Sequence, residues 1–213
     1  MNVWSFIVQN RLEVADLTLE HLWMVGTSTL LAIAVGLPLG ILITRRPGLR
    51  KPVMATANII QTVPSLALFG FLLPAPWIGE RAERLAILAL MLYALLPLIR
   101  NTYAGISGVD RAVIEAARGM GLTDSQLLFK VELPLASSVI LAGLRVAIVI
   151  SIGLATIAAA IGAGGLGELI FRGLAMVNNA VILAGAIPAA LMALIADGLL
   201  GWLEKRLAPQ RVA

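Results

Sequence analysis

Five long apolar stretches decide what this chain can fold into. They run from about Leu22 to Thr44, Val53 to Leu73, Leu85 to Ile99 or slightly beyond, Val139 to Ile161 and Val181 to Leu203. Several reach the ~20 residues needed to cross a hydrocarbon core. Inside such a core every backbone N–H and C=O must be satisfied within the segment, which leaves the helix as the available form. Composition agrees: 60% of the residues are hydrophobic and 13% charged, against about 25% charged in an ordinary soluble domain. The expected fold is an all-α, polytopic membrane bundle of five transmembrane helices in one domain. There is no cysteine, so disulfide and thiol chemistry are excluded.

The flanking charges set the ends of the runs and their sidedness. The first run stops at Arg45-Arg46-Pro47-Gly48, the second at Pro74-Ala75-Pro76, the third near Arg100-Asn101, and the fifth before Glu204-Lys205-Arg206. With five crossings, three basic groups fall on one side. These are Arg45, Arg46, Arg50 and Lys51; then Arg100, Arg111, Arg118 and Lys130; then Lys205, Arg206 and Arg211. The other side holds Arg11, Arg81, Arg84 and Arg172, mostly beside Glu13, Glu80, Glu83 and Glu168. The positive-inside rule makes the first side cytoplasmic. The net charge of +4 is explained by this bias, and no nucleic-acid partner is expected. Residues 1–21 are too polar to span and lack the pattern of a cleaved signal. They read as an external segment, with Trp4, Phe6, Ile7 and Leu12 suited to a helix at the interface. The organisation is then 1–21 outside, 22–203 in the membrane, and 204–213 as a cytoplasmic tail.

Between the third and fourth runs lies a polar island, residues 111–134, too long and too charged for a simple turn. Asp110 is placed to cap a short helix reaching Arg118. Gly119 and Gly121 permit a turn. Thr123 and Gln126 have capping-box spacing and start a second helix. Pro134 stands where that helix should end or bend into the next span. Ala112, Ala116 and Ala117 give the first helix a small-residue face that a partner can approach closely, with Glu115 beside it.

The same residues carry a resemblance. Glu115-Ala116-Ala117, three residues, Gly121, nine residues and then Val131-Glu132-Leu133-Pro134 resemble the cytoplasmic loop of permease subunits of type I ABC importers. Val131 replaces the isoleucine usual in that family. Two further stretches, Asn58 to Leu72 and Ala155 to Gly167, are similar to permeases for osmoprotectants such as glycine betaine, carnitine and choline. Methionine-type permeases share part of the second stretch. The resemblance covers nearly the whole chain after residue 20. It implies a coupling helix in the 110–134 loop, with Glu115, Ala116, Ala117, Gly121, Leu133 and Pro134 engaging an ATPase. It also implies two cytoplasmic ATPase subunits, a second permease subunit, an external solute-binding protein and a bacterial or archaeal cell membrane.

Other residues bear on a route through the membrane. Asn58, Gln61, Thr62 and Ser65 stand at i, i+3, i+4 and i+7, one stripe on a continuous helix. Such a stripe faces protein or a wet cavity and not lipid. It lines a translocation path or bonds neighbouring helices, and Pro64 locally loosens it. Arg145 and Asp197 are ionisable residues inside predicted spans. They pair as a structural or gating ion pair, or Arg145 snorkels to the interface. Gly162 to Gly167 superficially resembles a dinucleotide fingerprint but follows a span and not a strand. Its glycines serve a tight external turn or close packing. Asn178 and Asn179 are placed to cap the fifth span, and His21 reads as an interfacial polar residue without metal-ligand companions. No phosphate-binding Gly-Lys-Ser/Thr loop, nucleophile–base set or metal cluster is visible, so a transport subunit without cofactor or metal is expected, with ATP hydrolysed elsewhere. The rivals are an ABC permease for methionine or another small metabolite, an ion-coupled secondary transporter and a membrane scaffold.

Overall fold

The computed structural model describes residues 2–75 and 81–207. Pro76, Glu80, Arg211 and the tail beyond 207 lie outside the described residues. Every regular element among the described residues is helical. Among the described residues four unbroken helices are long and apolar enough to cross a membrane, and one bent pair would make a fifth span.

Helix α1 (Val3–Gln9) is capped by the Asn2 side chain, which accepts from Trp4 N at 2.8 Å. Helix α2 (Arg11–Arg45) follows. It begins well before the first apolar run and passes residue 21 without a break, so the expected boundary there has no counterpart in the backbone. Val14, Leu17 and His21 explain this. They recur on one helix face, all buried, and the first two join a core cluster with Leu166, Leu169 and Val181.

Helices α3 (Pro47–Thr62) and α4 (Ser65–Leu72) occupy the second apolar run. They meet at 103°, which corrects the expectation of a continuous, merely loosened helix. Pro64 lacks an N–H and disfavours helical geometry in the residue before it. Val63 is accordingly extended, at φ −67° and ψ 129°. The Tyr93 hydroxyl donates to the Val63 carbonyl exposed by the break.

Helix α5 (Ala82–Ser107) is the central element. Leu85, Ala86, Ala89, Leu90 and Tyr93 on it pack with Met24 and Val25 of α2, Phe69 of α4, and Ile152 and Ala155 further on. Two short helices come next, α6 (Arg111–Gly119) and α7 (Asp124–Leu127). A π turn, Leu128–Glu132, leads directly into α8 (Leu133–Ala158). Together α7, the π turn, α8 and a short 3₁₀ turn form one 38-residue rod, Asp124–Ile161. Pro134 therefore does not end the helix. In the π register a carbonyl pairs with the N–H five residues on, as Leu128 O does with Leu133 N. That takes the carbonyl four residues before Pro134 out of need of the N–H that proline lacks.

The glycine-rich segment turns sharply, with Gly162, Gly164 and Gly165 at positive φ. It then enters α9 (Gly167–Ala175), a short helix not expected from the sequence, before α10 (Asn179–Leu207). Asn178 Oδ1 accepts from Ala180 N at 3.1 Å and caps α10.

Small residues set the crossings, as expected where apolar burial alone does not drive helix association. A Cβ on Gly40 of α2 would meet Thr102 Cβ of α5 at 2.5 Å, and one on Gly143 of α8 would meet Asn101 Cβ at 2.5 Å. The chain is a multi-pass helical membrane bundle.

Candidate functional site

Side-chain contacts sort the charged residues into two ends. At one end Arg45 pairs with Glu132, and Arg145 Nη1 lies 3.5 Å from Glu204 Oε2. Ser137 Oγ, just past the hairpin, donates to Leu207 O at 3.4 Å, so the end of α2, the 110–132 hairpin and the end of α10 lie together. At the other end Arg172 Nη1 donates to Glu13 Oε1 at 2.7 Å, Gly165 N to Glu20 Oε2 at 2.9 Å, and Trp23 Nε1 to Glu83 Oε1 at 2.9 Å. The Glu13 carboxylate, chiefly through its hydrogen bond, raises the Arg172 pKa further above its ordinary value.

The hairpin is built from local bonds. Asp110 Oδ1 accepts from Ala112 N at 2.9 Å and fixes the start of α6. Gly119 is the last residue of α6, and the turn itself uses Gly121 at φ +84°, a conformation that costs glycine nothing. Thr123 and Gln126 form a reciprocal capping box, with Thr123 N donating to Gln126 Oε1 at 3.0 Å and Gln126 N to Thr123 Oγ1 at 3.4 Å. Ala112, Glu115, Ala116 and Gly121 are exposed. Ala117 is buried at 2%, so the three alanines do not share one outward face. Ala117 instead seats the helix on the bundle. Leu133 is half-buried and Pro134 exposed.

Glu132 is the residue the sequence reasoning passed over. It is 3% exposed and held by both terminal nitrogens of Arg45. A buried carboxylate requires such a partner. Its signal was a glutamate between Val131 and Leu133 at the mouth of a span, opposite the first cluster of arginines.

The stripe on α3 is shorter than its spacing suggested. Asn58, Gln61 and Thr62 stand on α3, while Ser65 opens α4 beyond the bend. Asn58 Oδ1 accepts from Arg100 Nη2 at 3.2 Å, and Thr62 Oγ1 donates back to Ile59 O at 2.7 Å. Asn58 lies in the wall of an open cavity of about 1100 Å³ between α2, α3 and α5.

Arg145 of α8 and Asp197 of α10 meet in a bidentate pair, at 2.5 Å from Nε to Oδ1 and 2.9 Å from Nη2 to Oδ2. Glu204 adds a second carboxylate. Both partners of the main pair are more than a third exposed. His21 corrects its expectation: it is fully buried, with Nε2 at 3.1 Å from Ile152 O.

Residues 36–209 match the family described as binding-protein-dependent transport system inner membrane component. The chain belongs to this family. Relatives of the permease extend over almost its full length. It is 44% identical to the carnitine transport permease protein OpuCB of Listeria monocytogenes, over 98% of this chain and 94% of the relative. It is 51% identical to the glycine betaine/carnitine/choline transport system permease protein OpuCD of Bacillus subtilis, over 89% and 82%. It is 41% identical to the osmoprotectant import permease protein OsmW of Salmonella typhimurium, over 100% of both. Among solved structures, a chain of the inward-facing MetNI methionine ABC transporter superposes with a TM-score of 0.84. It covers 93% of this permease and 97% of that chain at 24% identity, a likeness of fold.

Proposed function

We propose that this permease is the membrane-spanning subunit of an ATP-driven importer that moves an osmoprotectant such as glycine betaine, carnitine or choline. The observation that carries the proposal is the hairpin. It is a capped helix–turn–helix that leaves Glu115 and Ala116 exposed and continues through α7 into a membrane-length rod. A surface of this kind, on the basic end of the molecule, suits docking of an ATPase. Glu115, Ala116, Ala117, Gly121, Leu133 and Pro134 are the docking and coupling residues, with Ala117 acting from beneath. The cargo follows from the relatives, whose names specify carnitine, choline or osmoprotectants.

In this scheme two ATPases act from the cytoplasm on two permease subunits, and an external solute-binding protein delivers the cargo. The basic end faces the cytoplasm by the positive-inside rule, so the C-terminal end of α10 is inside and α1 outside. Asn58, Gln61 and Thr62 line the route, with Ser65 beyond the bend at its turn. The Arg145–Asp197 pair ties α8 to α10 and serves as a structural or gating clasp. The test is uptake by vesicles holding the complete assembly. Transport should require ATP and the binding protein, and persist when ion gradients are collapsed. Loss of uptake on collapsing the gradients, with ATP present, would return the chain to the secondary transporters.

A further inference from the structure

The cavity beside Asn58 has a chemistry that the proposed function leaves unused. Among the described residues its wall includes Arg50, Lys51 and Arg100, together with Asn58 and Tyr103, and no carboxylate. The guanidinium of Arg50 stacks 4.5 Å above the Tyr103 ring, so that ring is already taken by a cation. Arg100 reaches Asn58. The positive-inside bias accounts for cations in loops. Arg100 is carried on α5 itself, two helical turns, about 10 Å, before its Ser107 end, which holds its charge in the cavity wall. The polar stripe runs into this cavity: Lys51, Asn58 and Thr62 recur at helical spacing on one side of α3. The proposed route and the cavity therefore share Asn58.

Resting on the osmoprotectant reading, we infer that this cavity is an inner subsite for the carboxylate of the transported solute. The preferred cargo is then a zwitterion joining a quaternary ammonium to a carboxylate, as glycine betaine and carnitine do. Choline bears the same trimethylammonium group and no carboxylate. Three cations without a counter-charge disfavour a bare cation and attract a carboxylate. Arg100 supplies a planar fork that matches the two carboxylate oxygens.

The experiment uses the complete importer, with its ATPases and binding protein, in proteoliposomes. Radiolabelled glycine betaine and choline uptake are measured for the native protein, Arg100→Gln, Arg100→Lys and Lys51→Gln. Comparing the glycine betaine to choline ratio between variants cancels the selectivity of the binding protein. The ratio should fall about tenfold in Arg100→Gln, the loss of one charge-assisted bond. It should fall less in Lys51→Gln and recover partly in Arg100→Lys. An unchanged ratio in both glutamine variants, or equal loss of both solutes, overturns the inference. So does a native ratio that rises when anionic lipid is removed, because a lipid phosphate would then have been occupying the cavity in place of the solute carboxylate. Failure of the native assembly to take up either solute sinks the osmoprotectant reading itself, and this subsite with it.

Discussion

At the scale of single residues, the Arg45–Glu132 pair has the clearest energetic consequence. Glu132 is almost fully buried while Arg45 stays 38% exposed. Arg45→Ala strands a buried carboxylate and should cost about 2 kcal/mol, below the ~3–5 kcal/mol of a fully enclosed pair. Arg172→Ala removes a pair whose partners are 43% and 40% exposed and should cost under about 1 kcal/mol. Thermal unfolding of the two variants in detergent checks the order. The sequence offered two fates for Arg145, pairing or snorkelling, and the structure has the pair. Charges inside spans stand out against an apolar background, so such partners can be guessed. Glu132 lies at a span's edge, where a glutamate normally meets water, and nothing local reveals that α2 folds over it. His21 was misjudged for the same reason: its burial is created by the Gly162–Gly165 turn packing against it, far away in sequence.

At the scale of elements, run length located the spanning helices and proline content did not locate their breaks. Pro38, Pro97 and Pro188 lie inside α2, α5 and α10 without ending them, whereas Pro64 breaks its run by 103°. The difference is tertiary. Val63 has a phenol waiting for its freed carbonyl, a bond no local pattern displays. Tyr93→Phe should destabilise the fold by about 1 kcal/mol, read as a lower unfolding midpoint without loss of helix content by circular dichroism. Crossings are as specific. Gly143→Ala drives a Cβ into Asn101 and the Pro97 carbonyl and should cost about 1–3 kcal/mol. Gly153→Ala meets nothing within 4 Å and should be neutral or gain up to about 1 kcal/mol from helix propensity. The capped hairpin was legible in detail because its signals are local: Asp110, Gly121 and the Thr123–Gln126 box each act within a few residues. Helix α9 was not, because nine residues between two turns carry too little pattern to separate from a loop.

At the scale of the whole molecule, the proposed function predicts separable defects. Glu115→Ala should lower uptake roughly tenfold, as expected for one lost charged contact, and reduce solute-stimulated ATP hydrolysis while the protein remains in the membrane. Gly121→Pro forces φ from +84° toward about −65° and should uncouple more completely. Normal stimulated hydrolysis in both variants would remove the docking role. Gln61→Leu belongs to the other half of the scheme: uptake should fall with ATPase assembly intact, measured by co-purification of the subunits. Normal uptake by that variant makes the stripe a purely structural feature.

The unbroken run from Asp124 to Ile161 carries a mechanical corollary. At 1.5 Å per residue its 38 residues make a rod about 57 Å long, well beyond the ~30 Å of a hydrocarbon core. Its helical hydrogen bonding passes from the π turn into α8 without a loop between them. On the proposed docking role, a push of about an ångström or two on the hairpin end is expected to reappear as tilt at the far end, since no loop interrupts the run.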